Sequence, residues 1–341
     1  MKKISVIVPV YNSEDHLESC LSSLVHQTIS KDEIEILAID DHSTDGSLSI
    51  LKKFAQKFPQ IKIFCNRTNL GVGATRNLRI KKATGEYIGF VDSDDYVNNS
   101  MYQKIYEFAK QNHFPDIIET RLLFVKDNLY LNEDLSYASS KNGYLLHGKN
   151  KIKQLPDLSP SVCNKVFKKK LIKQEKFLKN CKWEDILFTT TMEIKAKNIL
   201  EINNSDYFYR RDITKGISSI NYHANKNILD IFKITDHIMN FPHFYQKQKY
   251  KNSLYIICLS AIFKRVEELE FWNITEKMKE ELKTLLYEMT YQRYGNLEKM
   301  DLAILSSTVK SNILEEYLAL GRTKKKTSSQ RKKRSLQKRK S

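Results

Sequence analysis

The chain has 341 residues, 41% of them hydrophobic, and a formal charge of +17. That length and apolar content exclude wholesale disorder and suit one large domain with a smaller appendage. Eleven cations lie between Arg322 and Lys340 with no acid among them, so residues 1–321 keep only about +6 and the basicity is mostly a tail.

The opening Met1-Lys2-Lys3 runs directly into the apolar stretch Ile4–Val8, which is too short for a signal-peptide core. The longest apolar run, Leu254–Phe263, falls short of the roughly 20 residues of a membrane helix. A soluble, cytoplasmic body is expected. The five cysteines are widely spaced and odd in number, which predicts buried or free thiols rather than a disulfide framework or a zinc site.

The first hundred residues alternate between two periods. Ile4–Val8 is a continuous apolar, β-branched run, as for a strand buried on both faces. Asn12 or Ser13 can cap a helix whose stripe is Leu17, Leu21, Leu24 and Val25. A strand follows at Ile34–Ile39, then a helix with Leu48, Leu51, Phe54 and Phe58 at helical spacing. Ile61–Cys65 predicts a third strand, Ala74–Ala83 a helix, and Tyr87–Val91 a fourth strand. Short-looped alternation of this kind predicts a parallel α/β sheet, in which ligands bind beyond the carboxyl ends of the strands. Those ends carry Pro9-Val10-Tyr11-Asn12, Asp40-Asp41-His42-Ser43 and Asp92-Ser93-Asp94-Asp95.

Further on, Met101–Asn112 predicts a helix, Ile117–Val125 a strand and Trp183–Lys197 a helix, followed by short strands at Ile199–Ile202 and Tyr207–Tyr209. Residues 222–321 look helical throughout, with few glycines or prolines. Their helices could serve a second copy of the chain in a homo-oligomer, an acceptor groove or a membrane surface. Residues 322–341 form a low-complexity basic tail with no core to bury, expected to be disordered.

Asp92 and Asp94 flank one residue at a strand end and can face one ligand. A hard cation such as magnesium takes one or two carboxylates together with substrate phosphates. A turn leading towards the helix near Met101 would explain the same acids. Asp41 lies in a loop rich in turn residues on the same sheet edge, where a carboxylate could accept the imide N–H of a uracil ring. Arg76 opens a helix after Asn69-Leu70-Gly71-Val72-Gly73. The glycines allow close backbone approach, the helix N-terminus favours anions, and Arg76 can pair with Asp92 or with a phosphate. Glu184-Asp185 opens another helix, where acids also occur for dipole reasons alone.

Together the four segments Pro9-Val10-Tyr11-Asn12, Asp40 to Asp45, Asn69-x-Gly71-x-Gly73-x-x-Arg76-Asn77 and Thr84 to Asp95 resemble family 2 glycosyltransferases in order and spacing. The resemblance is close over residues 3–110 and looser through Asn164–Lys169 and Glu184-Asp185 to Tyr207–Arg211. It implies a GT-A fold, Rossmann-like with a mostly parallel sheet. A glycosyltransferase domain would span 1–221, with a nucleotide part at 1–110 and an acceptor part at 111–221, followed by the helical domain 222–321 and the tail 322–341. It implies an inverting hexosyl- or N-acetylhexosaminyltransferase using a UDP-sugar donor and Mg2+ or Mn2+. Residue by residue, it makes Pro9 and Tyr11 walls of the base pocket, Asp41 the uracil-binding acid, and Arg76 and Asp92 donor-binding residues. Asp94 becomes the metal ligand on the donor, and Asp185 the catalytic base with Glu184 as the fallback. The middle section, around Ser159-Pro160-Ser161 and Asn164-Lys165-Val166-Phe167, is similar to bacterial enzymes that glycosylate teichoic acid or capsule precursors. A glycan, lipid-linked or teichoic-acid-type acceptor follows, with the tail holding the enzyme on an anionic membrane surface at its inner face.

Two other classes compete. Eleven cations would bind any polyanion, nucleic acid included, yet the tail has no interleaved aromatics and the rest no recognisable nucleic-acid module. A non-catalytic nucleotide-sugar binder would not need Asp92, Asp94 and Asp185 together. An NAD-type fingerprint is missing after Val8.

Overall fold

The computed structural model describes residues 2–126, 129–130, 143–172, 175–210, 228–240, 251–269, 275–294 and 312–317. The expectations for the basic tail and for the stretches between these ranges lie outside the described residues. The chain divides into two compact units, Met1–Thr214 and Lys215–Ser341.

The first unit opens with β1 (Ile4–Val10), α1 (Glu14–Val25), β2 (Ile34–Asp40), α2 (Ser47–Lys57), β3 (Ile61–Cys65), α3 (Val72–Ile80) and β4 (Tyr87–Phe90). These are the expected elements; α3 begins two residues earlier and ends three earlier than its sequence pattern predicts. Every residue of β1, β2 and β4 is buried, which is why they read as mostly apolar runs instead of alternating ones. Helix α1 buries Leu17, Cys20, Leu21, Leu24 and Val25 as a single stripe, and each large aliphatic side chain there contributes roughly 1.5–3 kcal/mol.

The strands run in the order β3-β2-β1-β4, all parallel. The connections leave β1 towards β2 and return to its other side at β4, so the order reverses between β1 and β4. Open α/β sheets bind ligands at such a reversal, beyond the carboxyl ends of the strands, and Tyr11 and Asp92 follow there.

The rest of the unit is β5 (Tyr96–Val97), α4 (Met101–Gln111), β6 (Ile117–Lys126), β7 (Leu129–Tyr130), β8 (Tyr144–His147), α5 (Gly148–Gln154), β9 (Lys165–Lys168), α6 (Lys169–Ile172), α7 (Glu184–Lys195) and β10 (Asn198–Arg210). The sheet continues from β4 through β9, β6 and β10 to β5. Strand β9 runs antiparallel between β4 and β6, while β6 and β10 are parallel to each other. The two short strands expected at 199–202 and 207–209 are one strand. Its register on β6 slips between Glu201 and Ser205 and again between Ser205 and Tyr207, so the polar run Asn203 to Asp206 is absorbed as a bulge.

Lys165 on β9 is fully buried. Its Nζ lies 3.1 Å from Glu119 Oε1 and donates to the carbonyls of Ser159 (2.5 Å) and Ser161 (3.3 Å). A buried ammonium with a carboxylate and two carbonyls therefore fixes the 159–163 segment.

In the second unit, α8 (Asp230–Met239), α9 (Lys251–Glu268) and α10 (Glu276–Tyr294) confirm helix where the sequence predicts it among the described residues. Phe263, Tyr287 and Tyr317 form a ring cluster with centroids 5.3–6.4 Å apart. None of the described helices is long and apolar enough to cross a membrane. All five cysteines are free.

Candidate active site

The centre of the strand-end edge is Arg76, buried on α3. Nη2 lies 2.6 Å from Asp92 Oδ1 and Nη1 lies 2.5 Å from Glu184 Oε1. Its guanidinium sits over Phe177 at 5.3 Å and Phe90 at 6.0 Å, within an aromatic cluster where Phe177 and Phe188 stack at 3.9 Å. Burial would discharge this arginine, but the Asp92 and Glu184 carboxylates outweigh it and hold the guanidinium charged. For Glu184, burial dominates and pushes the carboxyl up to about 7 against the pull of Arg76. Glu184 is thus bound to Arg76. Its neighbour Asp185 is half-buried, and its Oδ1 accepts the N–H of Ile186 at 3.0 Å.

The loop after β4 holds three acids in different surroundings. Asp92 Oδ2 accepts from the buried Cys163 thiol at 3.4 Å. Asp95 is buried, accepting from Tyr207 Oη (2.6 Å) and the Arg210 N–H (2.8 Å). Burial and the charges of Asp94 and Asp92 push its carboxyl up. Asp94 receives no side-chain donor among the described residues. Burial, then the charge of Asp92, raise it to about 6. The charges of Arg210 and Arg76 pull it down only in part, and no cation pairs directly with its carboxylate among the described residues. No three His, Cys, Asp or Glu side chains converge as a metal cage among the described residues. One carboxylate without a direct ion-pair partner fits a magnesium-like ion that takes its remaining oxygens from substrate and water.

Asp41, also buried, accepts at Oδ1 from Asn66 Nδ2 (2.7 Å) and the Leu70 N–H (3.0 Å), and at Oδ2 from the Gly71 N–H (2.9 Å). The N–H groups ahead of α3, expected to favour an anion, thus hold a protein carboxylate. Gly71 needs its glycine for φ +80, and Gly73 for close approach: a Cβ there would overlap the Leu178 carbonyl and lie 3.0 Å from Glu184 Cγ. Pro9 is buried at the end of β1, paired with Ile39, and Tyr11 beyond it is 48% exposed. Asn12 and Ser13 do not cap α1 with their side chains. Asn12 Oδ1 accepts the Thr44 N–H (2.8 Å), Ser13 Oγ meets Ser93 Oγ (2.7 Å), and Asp45 Oδ2 accepts the first N–H of α1 (3.0 Å). The three strand-end loops are thereby tied to one another.

The structure brings Arg76, Asp92 and Glu184 into direct contact, with Asp94 and Asp185 beside them in the chain. The sequence placed Asp95 only in the strand-end loop and Tyr207 and Arg210 only within the family resemblance, with no role for any of them, and gave no sign of Cys163 at this site. Arg210 Nε donates to the Asp94 carbonyl (3.0 Å), and its guanidinium lies over the Tyr96 ring at 5.2 Å. The polar residues closing the aromatic stretch Tyr207–Arg210 were the available signal; the antiparallel pairing of β10 with β5 that brings them to Asp95 was not visible in the sequence.

A family model described as "Glycosyl transferase family 2" matches residues 5–175. The chain is 32% identical over 312 residues to a cholesterol galactosyltransferase of Borreliella burgdorferi, covering 84% of this chain and 83% of that protein. It is 38% identical over 218 residues to a poly(ribitol-phosphate) beta-glucosyltransferase of Bacillus spizizenii, covering 61% of this chain but only 32% of that longer protein. Residues 1–349 of S. aureus TarS, crystallised with UDP-GlcNAc, share the fold at a TM-score of 0.69 and 23% identity, over 94% of this chain and 88% of that one.

Proposed function

Because the chain belongs to glycosyl transferase family 2, we propose that it is an inverting enzyme moving a sugar from UDP to a hydroxyl of a cell-surface glycan, lipid-linked or teichoic-acid-type acceptor. The single observation that carries this reading is the buried Arg76 held between Asp92 and Glu184, with Asp94 and Asp185 at the same strand-end edge. The names of the relatives point to two acceptor chemistries, a polyol phosphate and a sterol, which share a nucleophilic hydroxyl.

In this reading Pro9 and Tyr11 flank the uracil. Asp41 already uses three of its roughly four acceptor positions on the 66–71 loop, which fixes the carboxylate and leaves one for the uracil imide N–H. Asp92, oriented by Arg76 and Cys163, binds the donor near the ribose. Asp94 would hold Mg2+ or Mn2+, which supplies charge neutralisation for the diphosphate. Asp185 takes the acceptor proton while the hydroxyl oxygen bonds to the anomeric carbon and the bond from that carbon to UDP breaks. Glu184, bound to Arg76, positions the donor half of the site. The basic tail keeps the enzyme at an anionic surface, and a second copy can dock on the helical unit.

A thermal-shift screen against UDP, UDP-sugars and GDP-mannose tests the donor assignment. UDP compounds should stabilise the protein, and Asp41→Ala should remove most of that shift. Equal stabilisation by GDP-mannose, or an Asp41→Ala protein that responds like the parent, would overturn it.

A further inference from the structure

The outer face of α3 carries a groove of about 520 Å3 that the catalytic reading does not use. Leu70, Ala74 and Leu78 line it on one side, and Lys81, Lys176 and Lys179 add positive charge, with no acid in the lining. Among the described residues only four large hydrophobic side chains are exposed, and two of them, Leu70 (38%) and Leu78 (43%), sit in this groove. Scattered exposed leucines are ordinary; two in one cation-lined concavity mark a contact surface. The three lysines are exposed and have no ion-pair partner among the described residues, whereas the adjacent Glu175 is taken by Lys195. The wall is built, not incidental: Asn77 Nδ2 donates to the Phe177 carbonyl (2.9 Å) and the Phe177 N–H donates to Asn77 Oδ1 (2.8 Å), pinning the 176–180 segment to α3.

We propose that this groove is a membrane-docking site that seats an anionic phospholipid, with its lysines on the phosphate and Leu70, Ala74 and Leu78 against the glycerol and upper acyl chain. A lining that joins three aliphatic side chains to three lysines unpaired among the described residues, with asparagines between them, suits a protein surface that lies on an anionic bilayer without crossing it. A soluble phosphate polymer matches the lysines but gives the exposed leucines nothing to bury against, so the lipid accounts for more of the surface. The groove also begins at the loop that holds Asp41 and ends at Asn180, five residues before Asp185. Docking here would orient the strand-end edge relative to the bilayer independently of the tail.

The tail alone would carry the protein to anionic vesicles, so the test needs a local readout. Hydrogen exchange on the full-length protein, with phosphatidylglycerol vesicles, phosphatidylcholine vesicles or soluble polyphosphate, should show protection of segments 69–81 and 176–180 with phosphatidylglycerol only. The exposed-residue variant Leu78→Ser/Lys176→Ala/Lys179→Ala should lose that protection and reduce the vesicle-bound fraction about tenfold once salt suppresses the tail. UDP-sugar hydrolysis, measured on the same samples, should equal that of the parent and separates a failed docking site from a failed catalytic assignment. No protection of these segments with phosphatidylglycerol, whether or not the protein sediments, would overturn the proposal. So would equal protection by neutral vesicles or by polyphosphate, or unchanged protection in the triple variant.

Discussion

Glu184 and Asp185 are adjacent acids at the start of one helix, and under the proposed function their different surroundings would divide the labour between them. Glu184 is buried against Arg76 at 2.5 Å, whereas Asp185 is half-buried. Asp185→Asn should therefore lower the transfer rate by about 100-fold or more with donor affinity nearly unchanged, as for loss of a general base. Glu184→Gln should act through Arg76: donor KM rises, and thermal stability drops because a buried guanidinium keeps only Asp92 as a charged partner. Steady-state kinetics and melting curves on the two variants check both, and the opposite pattern would assign the base to Glu184. The sequence shows both acids but not this division, because Glu184's partner lies 108 residues earlier in the chain. The strand-end placement of Asp92, Asp94 and Asp41 was legible from the alternation of strands and helices. Asp95 was not legible as a buried structural acid, since its partners Tyr207 and Arg210 arrive on the far strand β10.

At the level of elements, two positions carry separate tests. The α3 glycine Gly73 leaves no room for a side chain against the Leu178 carbonyl and Glu184 Cγ, so Gly73→Ala must push the 177–184 segment outwards. A loss of about 1–3 kcal/mol in stability and a weaker response to UDP are expected, read by chemical denaturation and thermal shift. At the amino end of the sheet, Glu35 on β2 is buried. Burial pushes its carboxyl up, yet donors from Lys62, Ser5 and Thr84 outweigh this and hold it at about 2. A carboxyl depressed in the folded state stabilises above its unfolded pKa, and that contribution fades as pH falls through its folded value. Glu35→Gln should therefore melt well below the parent at pH 7, with the gap closing between about pH 4.5 and 2. A gap independent of pH would contradict this. Strands β1, β2 and β4 were legible because burial on both faces leaves mostly apolar runs, with Ser5 and Glu35 as the buried polar exceptions near the start of β1 and β2. Strand β9 was not, because a four-residue strand with Lys165 at its start becomes readable only once Glu119 is placed beside it.

Taken whole, the molecule has an α/β unit, whose elements β1 to β4 the sequence shows almost one by one, and a helical unit that sequence pattern identifies only by class. Helical periodicity specifies which faces are apolar but not which partners cover them, and residues 222–321 contain no chemical motif to orient them. The net charge belongs to the same scale. Deleting residues 322–341 should leave UDP-sugar hydrolysis unchanged while weakening binding to anionic vesicles, and added salt should mimic the deletion in sedimentation assays. Equal binding by both proteins at low salt would leave the tail without that role. Donor-dependent sugar transfer at the strand-end edge is checked by measuring UDP release from a panel of UDP-sugars by the full-length protein. Release from at least one UDP-sugar, abolished by chelator and restored by Mg2+ or Mn2+, is expected; no release from any of them, or full release in excess chelator, would rule out this site as the transferase centre.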